Sequence, residues 1–456
     1  MPTGPDAPQS AATELGATPA SGAPAQSAAA KETSNASEPT SASAGPAIRG
    51  SLSSRYRART GGDARDQDLY ETLVLDVGDE RLDAYTAHVM GRVSWDIDGQ
   101  ADRDGQFVYP SLADGYDDAF HGLLYEAYVD VERPPLVADA RLGRQIDYLT
   151  PVFAYFDGAR ISSRAATRYK LSGGLYGGVP VRLYESSTSG DQLAGAWGEA
   201  RPWQDARVRL DWMHVEDEDR FAAHQDDLYG VSYWQRFGER LRFDATYTRI
   251  EDVDRDLRAR ASWNDPSRDL TLQASVYRLI DTQTDFANEF DPFTSSLQNY
   301  FPYYQYRLQG SKGLGETWRV DGGMDLRRLD DEGDEGAFNH DYDRGWIALA
   351  LLDAWPPGTV VTVTGDVWSS DGRDVESWGL DLSRKLESGY QLAAGTSYAL
   401  YRYDLFLDSE RDDVRFWYLK LKKELSKAWS FECAYDYEDD SDDDFHVLTL
   451  GATWRF

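Results

Sequence analysis

The residues able to do chemistry in this 456-residue chain are charged side chains set two apart. Arg49, Arg55, Arg57 and Arg59 share one parity. Arg207 and Arg209 precede Asp211, Arg242 precedes Asp244, and Arg258 precedes Arg260. Arg319 and Asp321 precede Asp325 and Arg327, and Lys420 precedes Lys422. Arg92, Arg141 and Arg307 stand in segments of the same kind. A file of guanidinium, ammonium and carboxylate groups can do two things. It can satisfy itself as Arg–Asp pairs that stiffen a wall, or it can act as a ladder that holds and passes charged solutes in water. The run at Arg49–Arg59 and the cluster Arg207–Arg260 are the candidates for an anion-attracting stripe.

Other chemistry finds no footing. There is no GxSxG elbow, no P-loop and no dinucleotide fingerprint, so no enzyme is expected. His88, His121, His214, His224, His340 and His446 are scattered without metal spacing. The single cysteine, Cys433, excludes an internal disulfide, a CxxCH haem attachment and a thiolate cage. The acidic runs "DDEGDEG" from Asp330 and "DDSDDDF" from Asp439 lack the glycine and glutamate positions of an EF-hand loop. They are read as a solvated acidic surface that binds divalent ions loosely at most, and no cofactor is expected. A net charge of −32 argues against a nucleic-acid partner, which needs a basic face.

A spacing of two is the period of a strand, whose side chains alternate between faces. "RLRFDATYT" puts Leu241, Phe243, Ala245 and Tyr247 opposite Arg242, Asp244, Thr246 and Thr248. "FWYLKLKKE" puts Trp417, Leu419 and Leu421 opposite Tyr418, Lys420 and Lys422. From Ile48 onward such segments repeat, about ten residues long. Tight links such as "FGER", "GLGE" and "WPPG" alternate with long acidic ones: Gln100–Asp118, Glu216–Leu228, Asp281–Phe301 and Asp330–Asp343. "SSDGRDVE", "LDSERDD" and "EDDSDDDF" read as further long links. No run of 18 apolar residues is present, so a membrane helix is excluded. The pattern predicts an all-β chain: a transmembrane, antiparallel up-and-down barrel of about 22 strands, between 20 and 22. Residues 48–456 form the barrel. Residues 1–47, rich in Ala, Ser and Pro and free of aromatics, are expected to be a disordered tail. They lack the basic and apolar regions of a signal peptide.

The apolar parity therefore faces lipid, and Trp95, Trp263, Trp318, Trp355, Trp429 and Trp454 are placed to form interfacial girdles. Cys433, beside Phe431 and Tyr435, is an inert outward residue. The chain closes with "DFHVLTLGATWRF", in which Leu448, Leu450, Ala452, Trp454 and Phe456 share the apolar face. A terminal Phe preceded by alternating apolar residues resembles the C-terminal insertion signal of Gram-negative outer-membrane β-barrel porins. That resemblance implies recognition by the barrel-assembly machinery and a home in the bacterial outer membrane, amid its lipid and lipopolysaccharide. "RLGRQ", "FDGARI" and "GGVPV", within Ala140–Val181, locally resemble alginate-export-type and other specific porins.

A barrel this wide holds water unless something fills it. The loops Gln100–Asp118 and Asp281–Phe301, rich in aromatics, are candidate constrictions. Two functions are expected from this reading. One is a porin for passive passage of small solutes, charged ones included. The other is a sheath whose lumen holds a periplasmic partner, such as a multihaem cytochrome or a lipoprotein.

Overall fold

The computed structural model describes residues 47–61, 64–98, 119–132, 137–148, 150, 154–181, 191–218, 223–281, 301–334, 341–370, 373–404, 409–439 and 444–456. All but Ala47 of the expected tail, and nearly all of both candidate constriction loops, lie outside these residues.

The described chain is a single 22-stranded antiparallel sheet. Its first strands are β1 (Ile48–Gly61), β2 (Ala64–Val77), β3 (Tyr85–Asp96), β4 (Phe120–Glu132), β5 (Val137–Asp147) and β6 (Ala154–Ser163). Then come β7 (Ser172–Pro180), β8 (Gln192–Ala200), β9 (Ala206–Glu218), β10 (Ala223–Phe237) and β11 (Leu241–Ile250). The second half holds β12 (Val253–Asp265), β13 (Leu270–Leu279), β14 (Tyr303–Leu314), β15 (Trp318–Leu329) and β16 (Tyr342–Ala354). It ends with β17 (Thr359–Ser370), β18 (Arg373–Lys385), β19 (Tyr390–Asp404), β20 (Ser409–Glu424), β21 (Trp429–Asp439) and β22 (Asp444–Arg455). Each strand pairs with its chain neighbours, and β1 also pairs with β22 from Ser51↔Arg455 to Gly61↔Phe445. The sheet is thereby closed, and no edge is left for lipid to meet.

Alternation decides what each face sees. Leu52 pairs with Leu73 and Trp454, and all three are exposed on the outside of the ring, as are Leu210, Ile347, Leu349, Val363 and Leu419. Outward aromatics form two girdles. Trp203, Phe237, Trp318, Trp355, Trp429 and Trp454 lie near the rim that carries both termini, and Trp95, Phe120, Trp212, Tyr229 and Trp378 lie higher. Phe237 and Tyr229 sit eight residues apart on β10, about 27 Å along a strand and about 20 Å of membrane once tilted. The apolar belt between the girdles fits a transmembrane barrel. The termini lie on the rim of the short links, and the long links, including 97–119, 280–302 and 330–341, open on the other.

Several acidic stretches expected as long links are strand instead. β9 and β10 run through Glu216–Leu228 and leave only 219–222 between them, and β17 and β18 run through "SSDGRDVE" to leave 371–372. The segments "LDSERDD" and "EDDSDDDF" are likewise shortened, to 405–408 and 440–443. Backbone pairing does not stop where the hydrocarbon stops. Above the upper girdle both faces meet water, so the apolar alternation fades while the ladder continues. The segment from Phe153 on holds β6 and β7, which are short, and β7 is glycine-rich. Gly143, Gly158 and Gly178 pair across β5, β6 and β7 in one row. A Cβ at Gly158 would run into the Gly177 carbonyl and come within 2.7 Å of the Gly178 Cα, so the strands approach there too closely for a side chain.

One irregularity faces lipid. Across β3 and β4 the register shifts so that Tyr125 is left over between Leu124 and Glu126. Such a bulge frees carbonyls that lipid cannot satisfy. Arg144 on β5 donates to the Leu124 carbonyl at 2.9 Å and Tyr155 on β6 to that of Tyr125 at 2.6 Å. Asp157 neutralises Arg144 through two bonds of 2.8 and 2.6 Å.

Candidate functional site: the lumenal wall

The pairing register places every charged candidate on the face opposite the exposed apolar residues. Arg55 and Arg57 on β1 stand across from Tyr70 and Asp68, and Arg92 on β3 from Thr72. Arg141 on β5 faces Asp130. Arg207, Arg209 and Asp211 on β9 pair with Trp234, Ser232 and Gly230. Arg242 and Asp244 on β11 lie beside Ser262 and Arg260 on β12, and Arg258 beside Tyr277. Arg307 on β14 meets Asp325 on β15, Arg327 meets Gln305, and Arg319 and Asp321 complete that strand. Lys420 and Lys422 on β20 face Ala434 and Glu432. These residues spread the charge over strands β1 to β20 of the wall.

Most of the cations are matched. Arg141 grips Asp130 through two bonds, 2.7 and 2.8 Å long, and Arg209 grips Asp211 at 2.6 Å, both partners being buried. Arg57 and Arg59 reach Asp68 at 3.2 and 2.9 Å, and Arg59 also pairs with Asp66. Arg258 bonds Asp256 at 3.1 Å, Arg260 bonds Asp244 at 3.0 Å, and Arg319 bonds Asp321 at 3.1 Å. Arg307 donates to Asp325 at 3.0 Å, a carboxylate that also receives Gln305. A further pair that sequence did not single out joins Arg344 to Asp366 at 2.8 Å.

Several guanidinium groups also lie on rings. Arg57 and Arg92 lie 5.0 and 4.8 Å from the Tyr70 centroid, Arg141 is 3.6 Å over Tyr128, Arg207 is 3.7 Å over Trp234, and Arg327 is 3.9 Å over Tyr303. Stacking fixes each cation's orientation without neutralising it. Arg207 also pairs with Glu199 at 3.6 Å. Among the described residues Arg55, Arg242, Lys420 and Lys422 have no carboxylate within ion-pair distance. Three of the four share one stretch of wall. A register row runs Lys422–Glu432–Gly451–Arg55, and the next runs Lys420–Ala434–Thr449–Arg57.

A part of the wall that sequence did not reveal is apolar. Ala154, Phe156, Tyr176, Leu193, Met213, Val215, Leu228 and Ile250, from β6 to β11, form one buried cluster with Trp197 packed against it. All face inward by register, in the half of the barrel away from the termini. The usable signal was at "DWMHV", where Trp212 and Met213 break the alternation.

Two other expectations concern the C-terminus and metals. Leu448 and Leu450 lie outward on β22 against Ala58 and Tyr56, and Trp454 stacks with Trp429 at 6.1 Å. Phe456 exchanges backbone bonds of 2.9 and 3.0 Å with Gly50, and its ring lies 4.7 Å from that of Trp454. The described carboxylates that converge are Asp66, Asp96 and Asp98, whose oxygens fall within 4.8 Å of one another. Arg59 already neutralises Asp66, so that trio is a braced rim.

No family model and no curated protein matches the chain. Solved structures do match its architecture. The translocation pore of the P pilus usher PapC aligns over 90% of this chain and 99% of that one, with TM-score 0.53 and 9% identity. Pseudomonas aeruginosa OpdL aligns over 90% and 98%, with TM-score 0.44 and 11% identity. OccK2 (OpdF) from the same organism aligns over 90% and 97%, with TM-score 0.43 and 13% identity. At such identities the likeness to the usher pore is one of fold, and the fold is that of an outer-membrane β-barrel.

Proposed function

We propose that this barrel is a porin of the bacterial outer membrane, passing small charged solutes down their gradient with no covalent step. One observation carries this reading: outside the apolar cluster on β6–β11 the inward face is charged, and among the described residues four cations on it have no carboxylate partner. Paired residues hold the wall rigid, while Arg55, Arg242, Lys420 and Lys422 offer positions where an anion exchanges its hydration for a guanidinium or ammonium contact. The acidic outer hairpins oppose anion entry at the mouth. That opposition reaches only about 8 Å at physiological salt.

The test is conductance of the purified, refolded protein in a planar bilayer, with the reversal potential read under a KCl gradient. A steady open conductance with anion preference supports the reading, and cation preference gives control to the acidic rim. A folded barrel that does not conduct overturns it and favours the sheath around a periplasmic partner.

A further inference from the structure

The chain has a large acidic excess, yet one link of its periplasmic rim is basic. The link between β6 and β7 carries Arg164, Arg168 and Lys170 and no acid, whereas the following links on that rim balance Arg201, Arg240 and Arg268 with Asp205, Glu239 and Asp269. Arg240 and Arg268 are held by the buried Asp265, at 3.0 and 3.7 Å. Arg201 has only the edge of Glu199, 4.0 Å away and shared with Arg207. Among the described residues no carboxylate lies within 4 Å of Arg168 or Lys170. Arg168 instead lies 4.5 Å over the Tyr169 ring.

The shape of this link is specific. Ala166 and Leu171 exchange backbone bonds of 2.8 and 2.7 Å, and Lys170 donates to the Thr167 carbonyl at 3.1 Å. Arg201 donates its N–H to the Tyr169 carbonyl at 2.7 Å, which ties the knuckle to the next turn. Thr167 and Lys170 take φ of 68° and 49°, a left-handed conformation that is unfavourable for a side chain with a Cβ and worse for a branched one. Every residue from Arg164 to Leu171 is exposed. The knuckle thus presents cations without carboxylate partners to its surroundings, where a ligand from outside the chain can meet them.

Its depth identifies the user. Ile161 and Leu175, the last apolar outward residues of β6 and β7, lie directly above the knuckle, and Trp203 of the lower girdle stands on the neighbouring link. Tyr169 and Leu171 are themselves exposed on the knuckle. A ligand here meets cations and an apolar belt together, which is the chemistry of a phosphate with acyl chains attached.

We propose that Arg168, Lys170 and Arg201 form a clasp for the headgroup of an anionic phospholipid in the periplasmic leaflet. The full-length protein is placed in nanodiscs of equal phosphatidylglycerol and phosphatidylcholine, and the lipids it retains on release are counted by native mass spectrometry. The wild type retains phosphatidylglycerol over phosphatidylcholine by at least about fivefold, the factor one basic residue supplies near an anionic surface. The variant Arg168→Ala/Lys170→Ala/Arg201→Ala brings that ratio to parity while keeping the heat-modifiable gel migration of a folded barrel. Lys170→Glu alone, at an exposed site, lowers the ratio at least threefold should the triple variant not fold. Arg240→Ala/Arg268→Ala, which removes cations already paired, leaves the ratio unchanged. A wild type without preference, or a ratio untouched by the knuckle substitutions, overturns the proposal. So does a triple variant that keeps its lipid preference but loses binding to isolated sacculi, because the partner is then peptidoglycan.

Discussion

Replacing Ile347 by Arg tests the assignment of faces on which the functional reading rests. Ile347 lies mid-strand on β16 and is 58% exposed. It stands four residues from Leu351, which pairs with Trp318 of the lower girdle. Four residues are about 14 Å of strand and about 10 Å of vertical rise at a tilt near 45°. In an apolar band about 25 Å tall, that places the new guanidinium close to the midplane, where Arg costs about 2–4 kcal/mol. The matched control is Thr364→Arg. Thr364 sits on β17 opposite Ala348, the residue after Ile347, and points into the lumen at the same level. Its guanidinium meets water and polar groups, and the cost is within about 0.5 kcal/mol. Reversible unfolding of both variants from lipid vesicles in denaturant reads the difference directly. Equal losses, or a greater loss for Thr364→Arg, would refute the division into a lipid face and an aqueous face.

Three further outcomes are expected. Gly158→Ala prevents folding or slows it severely, because the clash is with backbone of the adjacent strand, whereas Gly345→Ala, where a Cβ meets nothing within 4 Å, leaves gel heat-modifiability unchanged. Arg209→Ala strands the buried Asp211 carboxylate and costs about 3–5 kcal/mol of unfolding free energy. The double variant Arg209→Ala/Asp211→Ala is milder, and a double-mutant cycle in denaturant measures the coupling. Reversing Arg55, Arg242, Lys420 and Lys422 to Glu moves the bilayer reversal potential toward cation preference at 0.1 M KCl. At 1 M, where screening acts within about 3 Å, the shift shrinks.

The period of two made most of this architecture readable. Residues such as Arg319, Asp321, Asp325 and Arg327 fall on the lumenal face because Trp318, Val320, Met324 and Leu326 must fall on the other. Three things were not readable. Strand ends above the membrane, as in β9 and β10, carry no apolar signal, since both faces are wet and only the backbone ladder persists. Met213 and Val215 share the parity of Arg209 and Asp211, so nothing in alternation separates an apolar lumenal patch from a charged one. The pair Arg144–Asp157 shares the outward face with Leu142 and Ala159. Its purpose is visible only once the bulge beside Leu124 is known, and side-chain pattern cannot report an extra backbone residue. Of the charged wall, sequence showed which residues line it but not which are partnered. Partnership depends on the register between neighbouring strands, across 18 residues of chain for Arg307 and Asp325 and 22 for Arg344 and Asp366.

The bonds between Gly50 and Phe456, and the Ser53–Thr453 hydroxyl contact across 400 residues of chain, make this molecule a ring cut at one place. Nothing in its hydrogen bonding marks where the cut belongs. A circular permutant joined across the present ends and opened at the link 238–240 keeps every ladder of the barrel. It places Phe456 inside a loop and turns its carboxylate into a peptide amide. Such a permutant is as stable as its parent once folded in detergent, so any failure to reach the membrane in a living cell measures what the free end contributes to delivery, with the fold held constant.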